Sequence, residues 1–434
     1  MSRPTKKQTL RITPQAIIIF MLAAFFYFYD FLIQVSPSVI AGHLMRHFNI
    51  TATLLGCMVG LFYYTYTLFQ IPAGLLLDRF GARKVLLNAI FFNTVGLLIF
   101  SFAPNIYFIG LARLIIGAAS AFAFLSALFL ILRWFPLRYF AFFAGLTQML
   151  GSFGAIGGTA FLAKLIKTIG VQSAMLTFTG IGAVLFILVF FYLQNSPQKE
   201  TRSTHSSMHF IARLKIVLFK RQTWSIGLYS FAIWAPIAAF AALWGVPFLK
   251  ATYHYDSIVA ASSISVLWLG VAIGSPIIGG VSQKVMRRRM PLMISALIGV
   301  ISMTTLVYIN HQPYWLVCLW LFLIGIAASG QSLSFALISD NQRLENTSAA
   351  NGFNNMMIVF GGALFQPLIG KLLDLHWNHR IIHGTPVYSA HNYHIALWIL
   401  PACFLMAFLA STFLIRETHC QPAEHRLEHP AAIP

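Results

Sequence analysis

Charge is what this chain has least of. Asp, Glu, Lys and Arg make up 9% of its 434 residues, against about 25% in soluble domains. A globular protein of this length would have too few polar side chains to cover its surface. Acids are scarcest: ten Asp and Glu stand against 29 Lys and Arg, a formal net charge of +19. Cysteine is nearly absent too. Cys57, Cys318, Cys403 and Cys420 are far apart, and no spacing among them suggests a disulfide framework or a metal site. Catalytic signatures are missing. There is no P-loop, which excludes an ATP-driven pump on this chain, and no zinc-protease helix or nucleophile elbow. No connection is long enough for a catalytic domain. An enzyme buried in the bilayer would need clustered His or Asp, and one Asp alone lies deep in an apolar segment. Neither an enzyme nor a cofactor is expected.

What the chain has is hydrocarbon: 58% of residues are apolar, 40 are Phe, and the mean hydropathy is +0.77. This composition implies a polytopic, all-α membrane protein. A spanning helix needs about 20 mostly apolar residues. Twelve such segments are expected, at roughly 15–42, 52–76, 83–103, 105–132, 138–163, 171–194, 223–248, 257–282, 290–310, 313–339, 348–373 and 394–415. A β-barrel would show shorter segments of alternating polarity. The first segment follows a basic start, but it is too long for a signal-peptide core, so it is expected to be a retained helix.

Cations set the orientation. With the N-terminus inside, Arg3, Lys6, Lys7, Arg11, Arg79, Arg83, Lys84, Arg133 and Arg138 fall on the inner side, as do Lys284, Arg287, Arg288 and Arg289. Six more lie in 195–222. Both termini are expected in the cytoplasm, in a bacterial inner membrane. The excess of positive charge thus reads as a topology signal, and no nucleic-acid partner is expected.

The chain divides into two. Residues 1–194 read as an N-terminal six-helix bundle and 223–416 as a C-terminal one. Between them, 195–222 reads as a cytoplasmic linker whose part from Met208 to Phe219 suits an amphipathic surface helix. Residues 417–434 form a cytoplasmic tail. The halves echo each other. Residues 74–84 align with 279–289, Gly117–Ser120 with Gly325–Ser329, and 145–154 with 352–361. Such internal symmetry marks carriers with the substrate site at the repeat interface.

The loop after the second segment reads Gly74, Leu76, Asp78, Arg79, Gly81, Arg83, Lys84. This nearly completes the signature loop of the major facilitator superfamily, and the chain resembles that family over nearly its whole length. Arg113 followed by Gly117 is similar to a second signature, in the fourth helix. The resemblance implies two pseudo-symmetric bundles that rock about a central cavity. It also implies that Asp78 approaches the start of the eleventh helix and gates the conformational change. The second copy of the loop departs from the pattern, with Gln283 for the Asp and Met286 for the second Gly. The glycine–proline signature of drug antiporters is not reproduced, since residues 151–158 hold Ala155 and shifted glycines. Subgroup resemblance points to bacterial nutrient and metabolite carriers, and loosely to a lysosomal dipeptide-carrier group.

A charge at mid-membrane costs about 2.5–3.5 kcal/mol even on the insertion scale, so it needs a partner or a task. Asp30 is the acid deep in a helix, and Tyr27, Asp30, Gln34 and Ser38 share one helical face. Arg113 is the deep cation. Asp30 is a candidate for proton uptake or for binding a substrate amine, and Arg113 for binding a carboxylate or tuning Asp30. A permanent structural ion pair is the competing expectation. Further cavity candidates are Gln148 on the fifth helix, Tyr229 and Trp244 on the seventh, Gln331 on the tenth, and Asn351 and Asn355 on the eleventh. Helix–helix hydrogen bonding would serve those residues as well as substrate binding. His376, His379, His383, His391 and His394 crowd the loop 374–394, where a solvated loop rather than a metal site is expected.

The expectation is a monomeric secondary transporter. It would move an amino acid, short peptide, nucleoside or organic acid by alternating access, as a proton symporter. A proton-coupled efflux antiporter or exchanger is the alternative, and a non-transporting membrane sensor a more distant one.

Overall fold

The computed structural model describes residues 13–136, 139–195, 214–343, 346–382 and 385–421. The basic start, most of the linker, the end of the tail and the Asp78 side chain lie outside the described residues. Of the expected surface helix, 214–218 fall within them and are helical.

Eleven helices are long and apolar enough to cross a membrane among the described residues. One of them, Phe142–Tyr192, runs 51 residues. At 1.5 Å per residue that is about 75 Å, far beyond a hydrocarbon core of about 30 Å. It breaks at Gly170, whose φ of 80° and ψ of 168° are closed to other residues. Counted as two, it brings the crossings to twelve. We number them α1 (Pro14–Phe48), α2 (Ala52–Leu77), α3 (Arg79–Ser101), α4 (Ile106–Trp134), α5 (142–169), α6 (171–192), α7 (Arg221–Tyr253), α8 (Ser257–Val285), α9 (Arg289–Tyr308), α10 (Tyr314–Asp340), α11 (Thr347–Leu375) and α12 (Ala390–Leu414). An antiparallel pair of two-residue strands, β1 (Ile381–Ile382) and β2 (Thr385–Pro386), lies between α11 and α12. The even count leaves Pro14 and Leu414 on one face of the bundle, here the terminal face. The opposite one is the distal face.

Helix ends outrun the apolar segments. The first was expected to stop near residue 42 but continues to Phe48, where Asn49 closes it in the left-handed region. Hydropathy marks the slab crossed, whereas a capping residue marks where the helix stops.

The sequence repeats have structural counterparts. A Cβ on Gly117 of α4 would lie 2.1 Å from the Phe62 carbonyl oxygen of α2. One on Gly325 of α10 would lie 2.0 Å from the Leu267 carbonyl oxygen of α8. Both glycines let two backbones touch, the usual route to helix association where lipid offers no hydrophobic drive. Around residues 81 and 286 the same architecture recurs with different residues. Gly81 has φ 76° and Met286 φ 53°. Just after each, the start of the next helix is held by a residue beyond the sixth helix of its half. The Asn195 side chain accepts from the Arg83 N–H at 2.7 Å. Glu417 accepts from the Arg288 and Arg289 N–H groups at 2.8 and 3.0 Å.

The first six helices meet the last six chiefly where α2 packs on α11, α5 on α8, and α1 on α7.

Candidate functional site

The middle of the bundle is built on α1. A chain of aromatic rings crosses it from one half to the other. Phe335 of α10 meets Phe124 of α4 at 6.1 Å between centroids, and Phe124 meets Tyr27 at 5.2 Å. Tyr27 stands against Phe31 at 4.9 Å, and Phe31 meets Trp268 of α8 edge-on at 5.7 Å. Trp268 continues to Trp234 of α7 at 6.2 Å. Four of these six side chains are buried, with Phe124 and Phe335 half-buried.

The polar face of α1 hangs from this chain of rings. Tyr27 donates to Gln148 Oε1 of α5 at 3.1 Å. One helical turn on, Asp30 is fully buried, with Asn93 Nδ2 of α3 at 3.5 Å from Oδ1. Its Oδ2 makes no well-formed hydrogen bond, and the buried Ser120 hydroxyl of α4 stands beside the carboxyl. The next turn brings Gln34, whose amide donates to Tyr63 Oη of α2 at 3.1 Å and whose Oε1 is also buried without a partner. Ser38 bonds back to its own helix at the Val35 carbonyl.

Arg113 reaches the same region from α4. It is 1% exposed, and its guanidinium lies 4.5 Å from the centre of the Phe62 ring. Its Nε donates to the Val59 carbonyl at 3.3 Å, and Nη2 lies 3.5 Å from the Gln34 carbonyl. No ion pair within 4 Å joins it to Asp30, although the two charges are near enough to act on each other. The guanidinium is thus held by backbone carbonyls and an aromatic face, with no carboxylate in direct contact among the described residues.

The C-terminal candidates divide. Asn355 donates to Gln70 Oε1 of α2 at 2.8 Å, a bond between the two halves. Gln331 is buried, with Oε1 unpartnered. Asn351 pairs instead with Ser339, on the neighbouring α10. Tyr229 turns away from α1 and donates to the Leu292 carbonyl of α9 at 3.2 Å. Trp244 donates to the Gln366 carbonyl of α11 at 3.1 Å. The residues missed by sequence reasoning are the rings that Tyr27 joins, Trp268 above all, and Asn93. Trp268 is the one aromatic residue in α8, a signal that was available. Asn93 became a neighbour of Asp30 only through tertiary packing.

Comparison with known proteins fits this architecture. The family model described as Major Facilitator Superfamily matches residues 18–366 and 237–430. The chain belongs to the major facilitator superfamily. Members of this superfamily are transporters rather than enzymes, and the chain is a multi-pass membrane protein of this kind. It is 27% identical over 379 residues to an uncharacterized transporter of Bacillus subtilis (strain 168), covering 79% of this chain and 84% of the relative. It is 23% identical over 370 residues to the D-galactonate transporter of Escherichia coli O6:H1, covering 77% and 84%. Among solved structures, a bacterial homologue of the human lysosomal transporter Spinster superposes with a TM-score of 0.73 at 14% identity, over 92% of this chain and 98% of that one. That last likeness concerns the superfamily fold. The middle of the bundle, where Asp30, Gln34 and Arg113 converge, is the candidate substrate site of this transporter.

Proposed function

We propose that this transporter carries a small organic anion across the membrane together with protons, in the direction of import. The single observation behind the anion is Arg113, a buried guanidinium held by backbone carbonyls and Phe62 with no acid in hydrogen-bond contact. A substrate carboxylate would supply the missing charge, and the guanidinium fork suits a bidentate partner. The D-galactonate transporter among the relatives supports the same class. Asp30 is the proton carrier in this reading. A fully buried carboxyl with only neutral hydrogen-bonding neighbours gains from protonation when the anion arrives, because the pair enters nearly neutral. Gln34 bridges the two sites: its carbonyl lies beside Arg113, and its residue stands one turn from Asp30. The terminal face is cytoplasmic in this proposal, on the strength of its Lys and Arg. The membrane is then a bacterial inner membrane and the working unit a monomer.

The test is uptake by proteoliposomes under an inward proton gradient, with separate pools of sugar acids, other organic acids, amino acids, dipeptides and nucleosides. Gradient-driven accumulation from an acid pool is expected, and it should vanish in Asp30→Asn. Accumulation unchanged in that variant would remove Asp30 from coupling. Accumulation from a neutral pool alone would remove the anion. Substrate-induced proton release with no accumulation would point to the antiporter.

A further inference from the structure

Helix α2 begins on the distal face without help from its own half. Thr51 holds the N-cap position in extended geometry, yet its side chain makes no capping bond. The free N–H groups go across the molecule. Asp374, at the far end of α11, accepts from the Ala52 N–H at 3.2 Å through Oδ1 and from the Thr53 N–H at 2.8 Å through Oδ2. Tyr388, beyond α11 in the connection to α12, also accepts from the Ala52 N–H, at 3.0 Å, and donates to Asp374.

This placement is unusual for Asp374. A carboxylate at the C-terminal end of a helix faces the negative end of its own dipole, which is unfavourable. At the N-terminal end of another helix it is favourable. Asp374 therefore destabilises α11 taken alone and becomes favourable only when α2 is docked against it. Asp256 makes the contrast plain: it caps its own helix, α8, through the Val259 N–H at 2.7 Å. The backbones behind the bond are in contact too. A Cβ on Gly56 would lie 2.4 Å from the Gln366 carbonyl oxygen, and one on Gly370 would lie 2.4 Å from that of Ala52. On the other side of the bundle, Thr159 of α5 and Ser265 of α8 share a 2.6 Å hydroxyl bond in the distal half.

We propose that Asp374 and Tyr388 form the latch that holds the distal face shut, with the N-terminus of α2 as its keeper. Releasing it frees the N–H groups of α2, and Thr51 already has the backbone geometry to cap them. The closed state thus carries cross-half bonds that the open state replaces with a local one. That is the condition for a two-state element whose balance a single side chain sets.

The experiment reads conformation, so its outcome does not depend on which solute is carried. Full-length protein with the four native cysteines changed to serine is placed in lipid nanodiscs. Spin labels go on cysteines replacing His47 and His254, exposed distal residues of opposite halves, and in a second sample replacing Lys84 and Lys284 near the terminal face. Without substrate, the distal pair is expected to give one short distance. Asp374→Asn is expected to raise the long-distance fraction at least about threefold, with the terminal pair moving closer. Tyr388→Phe leaves Asp374 on the Ala52 and Thr53 N–H groups and is expected to give a smaller shift in the same direction, about twofold. Folded variants whose two distributions match the parent would overturn the latch. So would a lowered melting temperature without any change in either distribution, since that is what a merely structural cap would give. Should Asp374→Asn fail to fold, Tyr388→Phe alone decides by the same criterion.

Discussion

The two halves of this transporter share a backbone plan and divide its chemistry unequally. The N-terminal half buries Asp30 and Arg113 in the middle of helices. The C-terminal half, among the described residues, keeps its buried ion pair at a helix end, where Arg288 meets Asp340 at 3.0 Å on the terminal face. At depth it uses amides and hydroxyls. Asn354 donates to Ser334 at 2.8 Å and accepts from Ser230 at 2.7 Å, tying α11 to α10 and α7. Satisfied neutral bonds hold helices together at little cost, whereas an unmatched charge is expensive and so marks where work is done. The difference fits the proposal that charge is handled in the first half, with the second as framework.

Arg113→Gln against Asn354→Ala is the sharpest way to break that comparison. Losing one partner of a buried, hydrogen-bonded charge pair costs about 2–5 kcal/mol. Arg113→Gln is therefore expected to weaken apparent substrate affinity at least about 30-fold in proteoliposome uptake. Asn354→Ala removes two buried side-chain bonds, a loss of about 1–3 kcal/mol in stability, while Ser230 and Ser334 keep their bonds to the Ile226 and Gln331 carbonyls. It is expected to lower the melting temperature while the Michaelis constant of the folded fraction changes by less than about threefold. A large affinity loss in Asn354→Ala with little in Arg113→Gln would reverse the division of labour.

The next largest effect lies in the paired loops. Gly81 sits at φ 76° and ψ 157°, a region essentially confined to glycine. A Cβ there would also meet the Asn195 side chain at 2.8 Å. Gly81→Ala is expected to cost about 2–3 kcal/mol, read as a fall in melting temperature in detergent.

Glu417 gives a pH signature that Asn195, its counterpart, lacks. Burial alone would raise its pKa. The N–H groups of Arg288, Arg289, His419 and Thr418 outweigh burial and hold the carboxyl below the usual value. A depressed folded value means the stabilisation is fully present above the unfolded value of about 4.3 and is lost as pH falls through the folded one. Glu417→Gln is expected to lower stability by about 1 kcal/mol at neutral pH. It should also flatten the acid limb of melting temperature against pH below about 4.3.

Much of this was legible before the structure. The apolar segments, the echoing loops and the shared face of Tyr27, Asp30 and Gln34 follow from composition and helical period. Period fixes which residues share a face, but not how far the helix is turned against its neighbours. Hence Tyr229 and Trp244, plausible as cavity residues by spacing, bond to the Leu292 and Gln366 carbonyls. Hence also the ring chain through Phe31, Trp268 and Trp234 was invisible, since it draws on three helices more than 200 residues apart at the extremes. The Asp374 bond escaped for the same reason, and because an acid at a helix C-terminus reads locally as a mistake.

The smallest effect asks why the second loop could lose its glycine at all. Met286 has φ 53° and ψ 35°, the ordinary left-handed region, where it closes α8 with its N–H on the Ser282 and Gln283 carbonyls. That region costs a non-glycine residue about 1–2 kcal/mol, whereas the conformation at Gly81 admits no side chain comfortably. Met286→Gly would relieve the strain but give the unfolded chain more freedom, a loss of about 0.4–1 kcal/mol. The two terms nearly cancel, so the melting temperature is expected to move by no more than a degree or two, against the large fall in Gly81→Ala. If both substitutions move it equally, the two loops do the same backbone work and the departure of Gln283 and Met286 from the signature needs another cause. If only Gly81→Ala does, the first loop alone demands glycine, and the second was free to drift because a helix cap, rather than a Gly-only turn, makes its bend.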